Sequence, residues 1–279
     1  NILSSEKAND LEKFIITGKY NKAKIPIIAM PTTAGTGSES TKFATLYINK
    51  IKYSIEDDTL IPEFSLIDPM LVDSNSSYTM LAAGLDALCQ AIESYWSVNS
   101  NSNSREYASS AMGKIWEILP KICSKSISQK DIENLCIAAN LSGKAINISK
   151  TTACHAISYY LTSNYDIAHG HAVMLTLGNV FKLNLNITEE NLNDNRGLSY
   201  CNRMLKHICD NLKIKVDDDV DNIFSNYLKA LGLKTKLSEF NIPREDLQTI
   251  ANNINVKRIK NNPRVLSKKD ILLILKSIY

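Results

Sequence analysis

From about residue 75 onward, apolar residues recur at helical spacing in one segment after another, and the two-residue alternation of half-buried strands is nearly absent. Segment 78–97 sets the pattern: Leu81, Leu85, Leu88 and Ile92, closed by Tyr95 or Trp96, fall on one side of an α-helix. Further helical patterns occupy about 104–124, 130–147, 152–161, 171–184, 198–213, 218–232 and 244–252. The last helix is expected to begin at Ser267, where Asp270 completes a capping box, and to continue through Ile271, Leu272, Ile274, Leu275 and Ile278. With strand patterns nearly absent, stripes of this kind are buried by packing helix on helix.

The stretch before residue 75 reads differently. Residues 25–30 (Ile-Pro-Ile-Ile-Ala-Met) form a short continuous apolar run, which predicts a buried strand of a covered sheet. A loop of small and hydroxylic residues, Pro31 to Ser40, follows it. Phe43–Ile48 and Phe64–Ile67 predict two more strands, the second ended by Asp68-Pro69, and a helix is expected at about 5–17. Asn1-Ile2-Leu3 reads like the end of an element already under way, so the amino terminus is expected to be a cut. The economical division is a β/α unit over 1–74 and a larger helical domain over 75–279, with a ligand site in the cleft between them.

Composition narrows the partners. The 279 residues carry 32 basic and 29 acidic side chains, a net charge of +3, which tolerates an anionic ligand but leaves no footprint for nucleic acid. The six cysteines are scattered without a C-x-x-C pair, so a zinc knuckle has no matching spacing and buried free thiols are expected. No apolar run approaches the roughly 18 residues of a membrane span, no signal-peptide pattern is read, and the cytoplasm is the expected location by default.

Two groups of residues carry chemistry. Asp86 and Gln90 lie four residues apart in Gly84-Leu-Asp-Ala-Leu-Cys-Gln90, on one helix face, and Asp86 sits between Leu85 and Leu88 on the core side. A carboxylate there needs a cation or hydrogen-bond donors, and a structural bond and a metal ion are both open readings. Of the four histidines, His155, His169 and His171 share one segment. One imidazole in an apolar stretch is commonly a satisfied core residue; two flanking one short helix raise the odds of a shared metal. One Asp with two His suits Fe(II) or Zn(II) better than Ca(II). His207, beside Lys206, reads as surface. In Pro31-Thr-Thr-Ala-Gly-Thr-Gly-Ser-Glu39, Gly35 and Gly37 let the backbone approach a ligand while the hydroxyls offer donors, chemistry suited to phosphate or nicotinamide. Many loops of that composition bind nothing.

Taken in order, these segments resemble the iron-containing (group III) alcohol dehydrogenase family. Pro31–Glu39 looks like its second nucleotide-binding loop, and Asp68-Pro69 with Gly84-Leu-Asp-Ala-Leu88 like its domain junction and first metal-ligand helix. Thr152-Ala-Cys-His155 through Ala168-His169-Gly170 resembles the segment supplying two histidine ligands, and Asn261-Asn-Pro-Arg264 the closing element. The resemblance implies a dehydroquinate synthase-like fold: the carboxy-terminal part of a Rossmann-like dinucleotide-binding domain (1–74), incomplete at its front, followed by a helical metal and substrate domain (75–279). It implies Asp86, His155 and His169 as ligands of Fe(II) or Zn(II), with Gln90 at the remaining ligand position. It also implies Thr32, Thr33, Gly35, Thr41 and Lys52 as contacts to NAD(P), and a homodimer.

Three departures stand out. The family's Gly-Gly-Gly-Ser pyrophosphate loop, which would precede Asn1, is not in the sequence. Gln90 stands where the usual ligand is His, and a neutral amide oxygen is the poorer ligand. Tyr159 stands where many members have a His near the nicotinamide; its phenol is the expected catalytic donor to a nascent alkoxide, although a pKa near 10 makes it a weak base. The string Asp86-Ala-Leu-Cys-Gln-Ala-Ile-Glu-Ser-Tyr-Trp-Ser97 and His169-Gly-His171 resemble the phosphonoacetaldehyde reductase branch, which implies a phosphonate-bearing aldehyde as substrate, with His171, Lys182 and Arg264 as anion partners by proximity. The rival readings are a non-catalytic fragment that binds no dinucleotide and a dehydroquinate synthase-like lyase, against which the threonine-rich loop argues.

Overall fold

A computed structural model describes residues 25–48, 51–216, 218–255 and 259–279; the helix expected near 5–17 lies outside them. The helical stripes appear as α1 (Pro69–Asp73), α2 (Ser77–Trp96), α3 (Ser102–Cys123), α4 (Gln129–Ser149), α5 (Ala153–Tyr165), α6 (His169–Leu185), α7 (Leu198–Leu212), α8 (Val220–Ala230), α9 (Asp246–Asn253) and α10 (Lys268–Ser277). Local chemistry sets their starts. Asp68 caps α1 with Pro69 in its first turn, and Ser76 caps α2. Capping boxes open α3 (Asn101, Ser104), α4 (Ser128, Asp131) and α10 (Ser267, Asp270).

Helix α2 is the axis of the bundle, packed by α3, α4 and α6. Leu85, Ala87, Leu88, Cys89, Ala91 and Ile92 have no exposed surface, so the helix is buried nearly all round rather than along one stripe. Each such leucine or isoleucine stabilises the fold by about 1.5–3 kcal/mol relative to exposure. Among the described residues no helix is long and apolar enough to cross a membrane.

Pro120 lies inside α3 and cannot donate to the carbonyl of Trp116 one turn back. The Tyr227 hydroxyl takes that carbonyl instead, at 2.8 Å, while its ring stacks on Trp116 with centroids 3.7 Å apart. Tyr227→Phe leaves the carbonyl bare and is expected to lower stability by about 1–3 kcal/mol in urea denaturation. A loss below about 0.5 kcal/mol would show that another donor replaces the phenol.

The strands differ from expectation. β1 (Ile28–Ala29) is two residues long and pairs in parallel with β4 (Phe64–Ser65), while β2 (Phe43–Ile48) and β3 (Ile51–Glu56) form an antiparallel hairpin running from Phe43↔Glu56 to Ile48↔Ile51. The apolar run 25–30 is not buried: Ile25, Ile28 and Met30 are 64%, 61% and 48% exposed. Parallel strands are buried when layers cover both faces, and among the described residues this pair stands as a two-stranded sheet of its own. Strand β3 and helix α1 are not among the expected elements, although Ile51-Lys52-Tyr53-Ser54-Ile55-Glu56 alternates cleanly.

Residues 261–264 latch distant parts together. The Asn261 carbonyl accepts from the Val98 amide (3.0 Å), and its side chain donates to the Thr151 carbonyl (3.0 Å). The carboxamides of Asn262 and Asn184 exchange two bonds while buried, and Arg264 donates to the carbonyls of Leu183 and Asn186 at the end of α6.

Candidate metal centre and dinucleotide loop

Three elements converge on one point. Asp86 projects from the middle of α2, His155 from the first turn of α5, and His169 is the first residue of α6. The His155 Nε2 lies 3.2 Å from Asp86 Oδ1 and the His169 Nε2 lies 3.8 Å from the same atom; one ligand atom from each residue falls within 4.8 Å of the others. Two donors bound to one tetrahedral ion at roughly 2.1 Å sit about 3.4 Å apart, so the spacing suits a shared first-row metal. Gly170 makes the approach possible, because a Cβ there would overlap the Ala82 carbonyl and lie 2.5 Å from the Asp86 amide.

The sequence reading missed Glu93. It lies two turns after Asp86 on the same face of α2, a spacing that could have revealed it. Fully buried, it bonds to His155 Nδ1 through one oxygen, and its other oxygen accepts from Thr152 Oγ1 (2.5 Å) and the Cys154 amide (2.8 Å). A carboxylate on Nδ1 fixes the ring and leaves Nε2 for the metal.

Burial opposes a charge on His155, but Glu93 and Asp86 outweigh it and raise the imidazole to about 9. Burial also penalises the two carboxylates, yet His155 holds both below their ordinary range, helped at Asp86 by His169 and Gln90. Burial, then the neighbouring carboxylates, push the Cys89 thiol well up, and Cys154 likewise, so neither offers a thiolate. Metal binding must expel the Nε2 proton of His155, which the metal-free site holds up to about pH 9. Affinity for Zn(II) is therefore expected to rise about tenfold per pH unit between about 6 and 8, with about one proton released, in titrations across buffers of different ionisation enthalpy. An affinity flat with pH would show a neutral His155 in the empty site.

Gln90 donates through Nε2 to Asp86 Oδ2 (3.1 Å) and to the Thr36 carbonyl (3.4 Å), while its Oε1 is buried without a partner. A spare buried acceptor fits the fourth position about a cation. Tyr159 is half-buried and stacks on the His169 ring at 5.4 Å, and Ser158 Oγ lies 3.4 Å from His169 Nδ1.

Through Thr36 the threonine-rich loop reaches the same point. The Asn75 side chain donates to the Thr32 carbonyl (2.6 Å), Gly35 presses on Ala83 of α2, and Gly37 meets Gly143 of α4 backbone to backbone. Asn140 of α4 donates to Glu39 (2.8 Å) and Ser40 (2.6 Å). Thr32 is exposed and Thr33 half-buried, whereas Thr41 is buried with its hydroxyl given to the Ser38 carbonyl (3.3 Å). Lys52 lies on β3 opposite Tyr47; its side chain is outside the described part.

The three anion partners expected by proximity are placed otherwise. His171 is buried, donates Nε2–H to the Lys234 carbonyl (2.8 Å), and is held below its usual pKa chiefly by burial. Lys182, near the far end of α6, pairs with Asp219 and Asp221, and Arg264 caps that end. His207 is exposed, as expected.

Residues 80–279 match the model described as the Fe-containing alcohol dehydrogenase family, C-terminal, and residues 2–69 match that described as iron-containing alcohol dehydrogenase. The chain belongs to the iron-containing alcohol dehydrogenase family. It is 35% identical over 183 residues to the phosphonoacetaldehyde reductase of Streptomyces viridochromogenes, covering 65% of this chain and 46% of that protein. It is 27% identical over 260 residues to the NAD-dependent methanol dehydrogenase of Bacillus methanolicus, covering 92% of this chain and 67% of that one. The chain thus spans about half to two-thirds of these relatives. Among solved structures, the sulfoacetaldehyde reductase of Bifidobacterium kashiwanohense in complex with NAD+ superposes with a TM-score of 0.80 at 26% identity, covering 96% of this chain and 68% of that one. Both the family resemblance and the dehydroquinate synthase-like fold expected from the sequence are borne out.

Proposed function

We propose that this chain carries the metal and nicotinamide centre of an NAD(P)H-linked alcohol dehydrogenase that works as an aldehyde reductase, reducing phosphonoacetaldehyde to 2-hydroxyethylphosphonate. The observation that carries the reading is the convergence of Asp86, His155 and His169 within 4.8 Å, tied through Gln90 to the threonine-rich loop. Lewis acidity at the carbonyl oxygen and the hydride are what Fe(II) or Zn(II) and the dinucleotide supply when bound. Asp86, His155 and His169, with Gln90 Oε1 in fourth place, hold the ion. Glu93 keeps the His155 Nδ1 occupied so that Nε2 points to it. Thr32 and Thr33 offer hydroxyls to the dinucleotide, while Gly35 and Thr41 shape the loop; Lys52 is a contact by family resemblance alone. Tyr159, whose ring stacks on His169, donates its phenolic proton to the developing alkoxide, the stronger base of the two.

The substrate reading draws on two relatives whose names denote short aldehydes bearing a tetrahedral anionic group, a phosphonate in one and a sulfonate in the other. Its anion is met by groups other than His171, Lys182 and Arg264: His171 Nε2 and Lys182 Nζ are engaged elsewhere, and Arg264 gives Nη1 to backbone carbonyls at the far end of α6. A homodimer in the cytoplasm belongs to the same reading, and the six free cysteines suit a reducing compartment. Metal analysis of the chain and of His169→Ala provides the test. About one ion per chain, lost in the variant, is expected; unchanged metal content rejects the ligand set. NADPH titration of the same samples separates this enzyme from a fragment without dinucleotide affinity, for which no binding near ~1 μM would speak.

A further inference from the structure

The turn from α4 to α5 contains an unusual backbone. Among the described residues, five that are not glycine have positive φ, and Asp166, Lys213 and Asn241 lie in the ordinary left-handed well with ψ of 31, 37 and 28°. Lys150 combines φ 61° with ψ 171°, a region that is essentially confined to glycine. A side chain persists there only when its surroundings over-determine it. Here they do. The Lys150 Nζ lies 2.6 Å from Glu56 Oε2, on the last residue of β3. Its amide donates to Ile146 (2.8 Å), its carbonyl accepts from Ser149 Oγ (3.1 Å), and the next carbonyl, Thr151, accepts from Asn261. Glu56 is steadied in turn by Lys42 (3.5 Å), whose amide donates to Asn147 of α4 (2.9 Å).

The residues just past this turn are those that fasten Glu93. Two positions on, Thr152 reaches Glu93 and accepts from the Trp96 indole (2.9 Å); four positions on, the Cys154 amide reaches Glu93 as well, and His155 comes next. Rotation of Lys150 into an ordinary well would send the chain out of α4 along another line and carry these donors away from Glu93. The geometry points to Lys150 as a positioning residue: its ion pair with Glu56 holds a glycine-type turn that aims the start of α5, and with it His155, at Glu93 and Asp86. The β2–β3 hairpin is thereby coupled to a ligand helix it does not itself form part of.

Hydrogen exchange of amides 151–156 in the metal-free 279-residue chain tests this without any ligand. Lys150→Ala and Glu56→Gln are expected to speed exchange of the Cys154 amide about tenfold, and Lys150→Arg to restore protection. Lys150→Gly is expected to stay closer to the parent chain than Lys150→Ala, an inversion of the usual order, because glycine adopts the turn freely. A second readout rests on the metal reading above: cobalt(II) binding weakens about tenfold in Lys150→Ala with altered visible bands, and by no more than about threefold in Lys150→Gly. Parent-like exchange in Lys150→Ala, or equal losses in the alanine and glycine variants, overturns the proposal. Failure of the parent chain to bind cobalt refutes the metal reading, and the exchange comparison still decides the role of Lys150.

Discussion

Gly170→Ala is expected to weaken metal binding about 100-fold while leaving the helical bundle folded. The added methyl would overlap the Ala82 carbonyl and come within 2.5 Å of the Asp86 amide and 2.9 Å of the Asp86 Cβ. All but the last are backbone atoms of a helix buried on every side, so the start of α6 must give way by roughly 1 Å. His169 moves with it, and its Nε2, already 3.8 Å from Asp86 Oδ1, leaves the reach of a shared ion. Affinity for Zn(II) should fall about 100-fold, while urea denaturation registers about 1–3 kcal/mol of lost stability. Gly170→Ala with its metal intact would mean that α6 can shift along α2 without moving His169, and the account of the centre would fail.

The second large effect falls on the dinucleotide side. Gly143→Ala would put a Cβ 2.5 Å from the Gly37 carbonyl oxygen and 2.7 Å from the Gly37 Cα. One partner must move, and α4 is fastened by its buried face while the loop is fastened by a few hydrogen bonds. The loop therefore retreats, and Thr32 and Thr33 with it. NADPH affinity is expected to fall at least about tenfold with metal content unchanged, read by fluorescence titration and metal analysis on the same preparation. Loss of both ligands together would show that loop and metal centre are not separable; unchanged NADPH affinity would remove the loop from the binding site.

The helical domain was legible because its helices carry their own periodicity and several their own capping residue, as Ser267 with Asp270 shows. The grouping of Asp86, His155 and His169 was legible from residue chemistry, since Asp86 lies on a core face and two histidines flank one short helix. Glu93 escaped because its one local sign is the two-turn spacing from Asp86; its worth lies in Thr152 and His155, some 60 positions away. The same holds for Gly143, whose partner Gly37 is invisible to any window on the sequence. Residues 25–30 misled for the opposite reason. An apolar run states what a segment would gain by burial, and only neighbours can supply the cover.

The latch at Asn261 sets an order on biosynthesis. Its bonds to Val98 and Asn99 close a loop of 162 positions, longer than the loops that Ser149 and Arg196 close on the same turn. Emerging from the ribosome, the segment after α2 is therefore tied in stages, first by Ser149, then by Arg196 and last by Asn261. Local helices can form early, but the native arrangement around Ser97–Asn101 is complete only with a contact of very high sequence separation. Ribosome-arrested chains shorter than about 260 residues should thus expose this region to proteases.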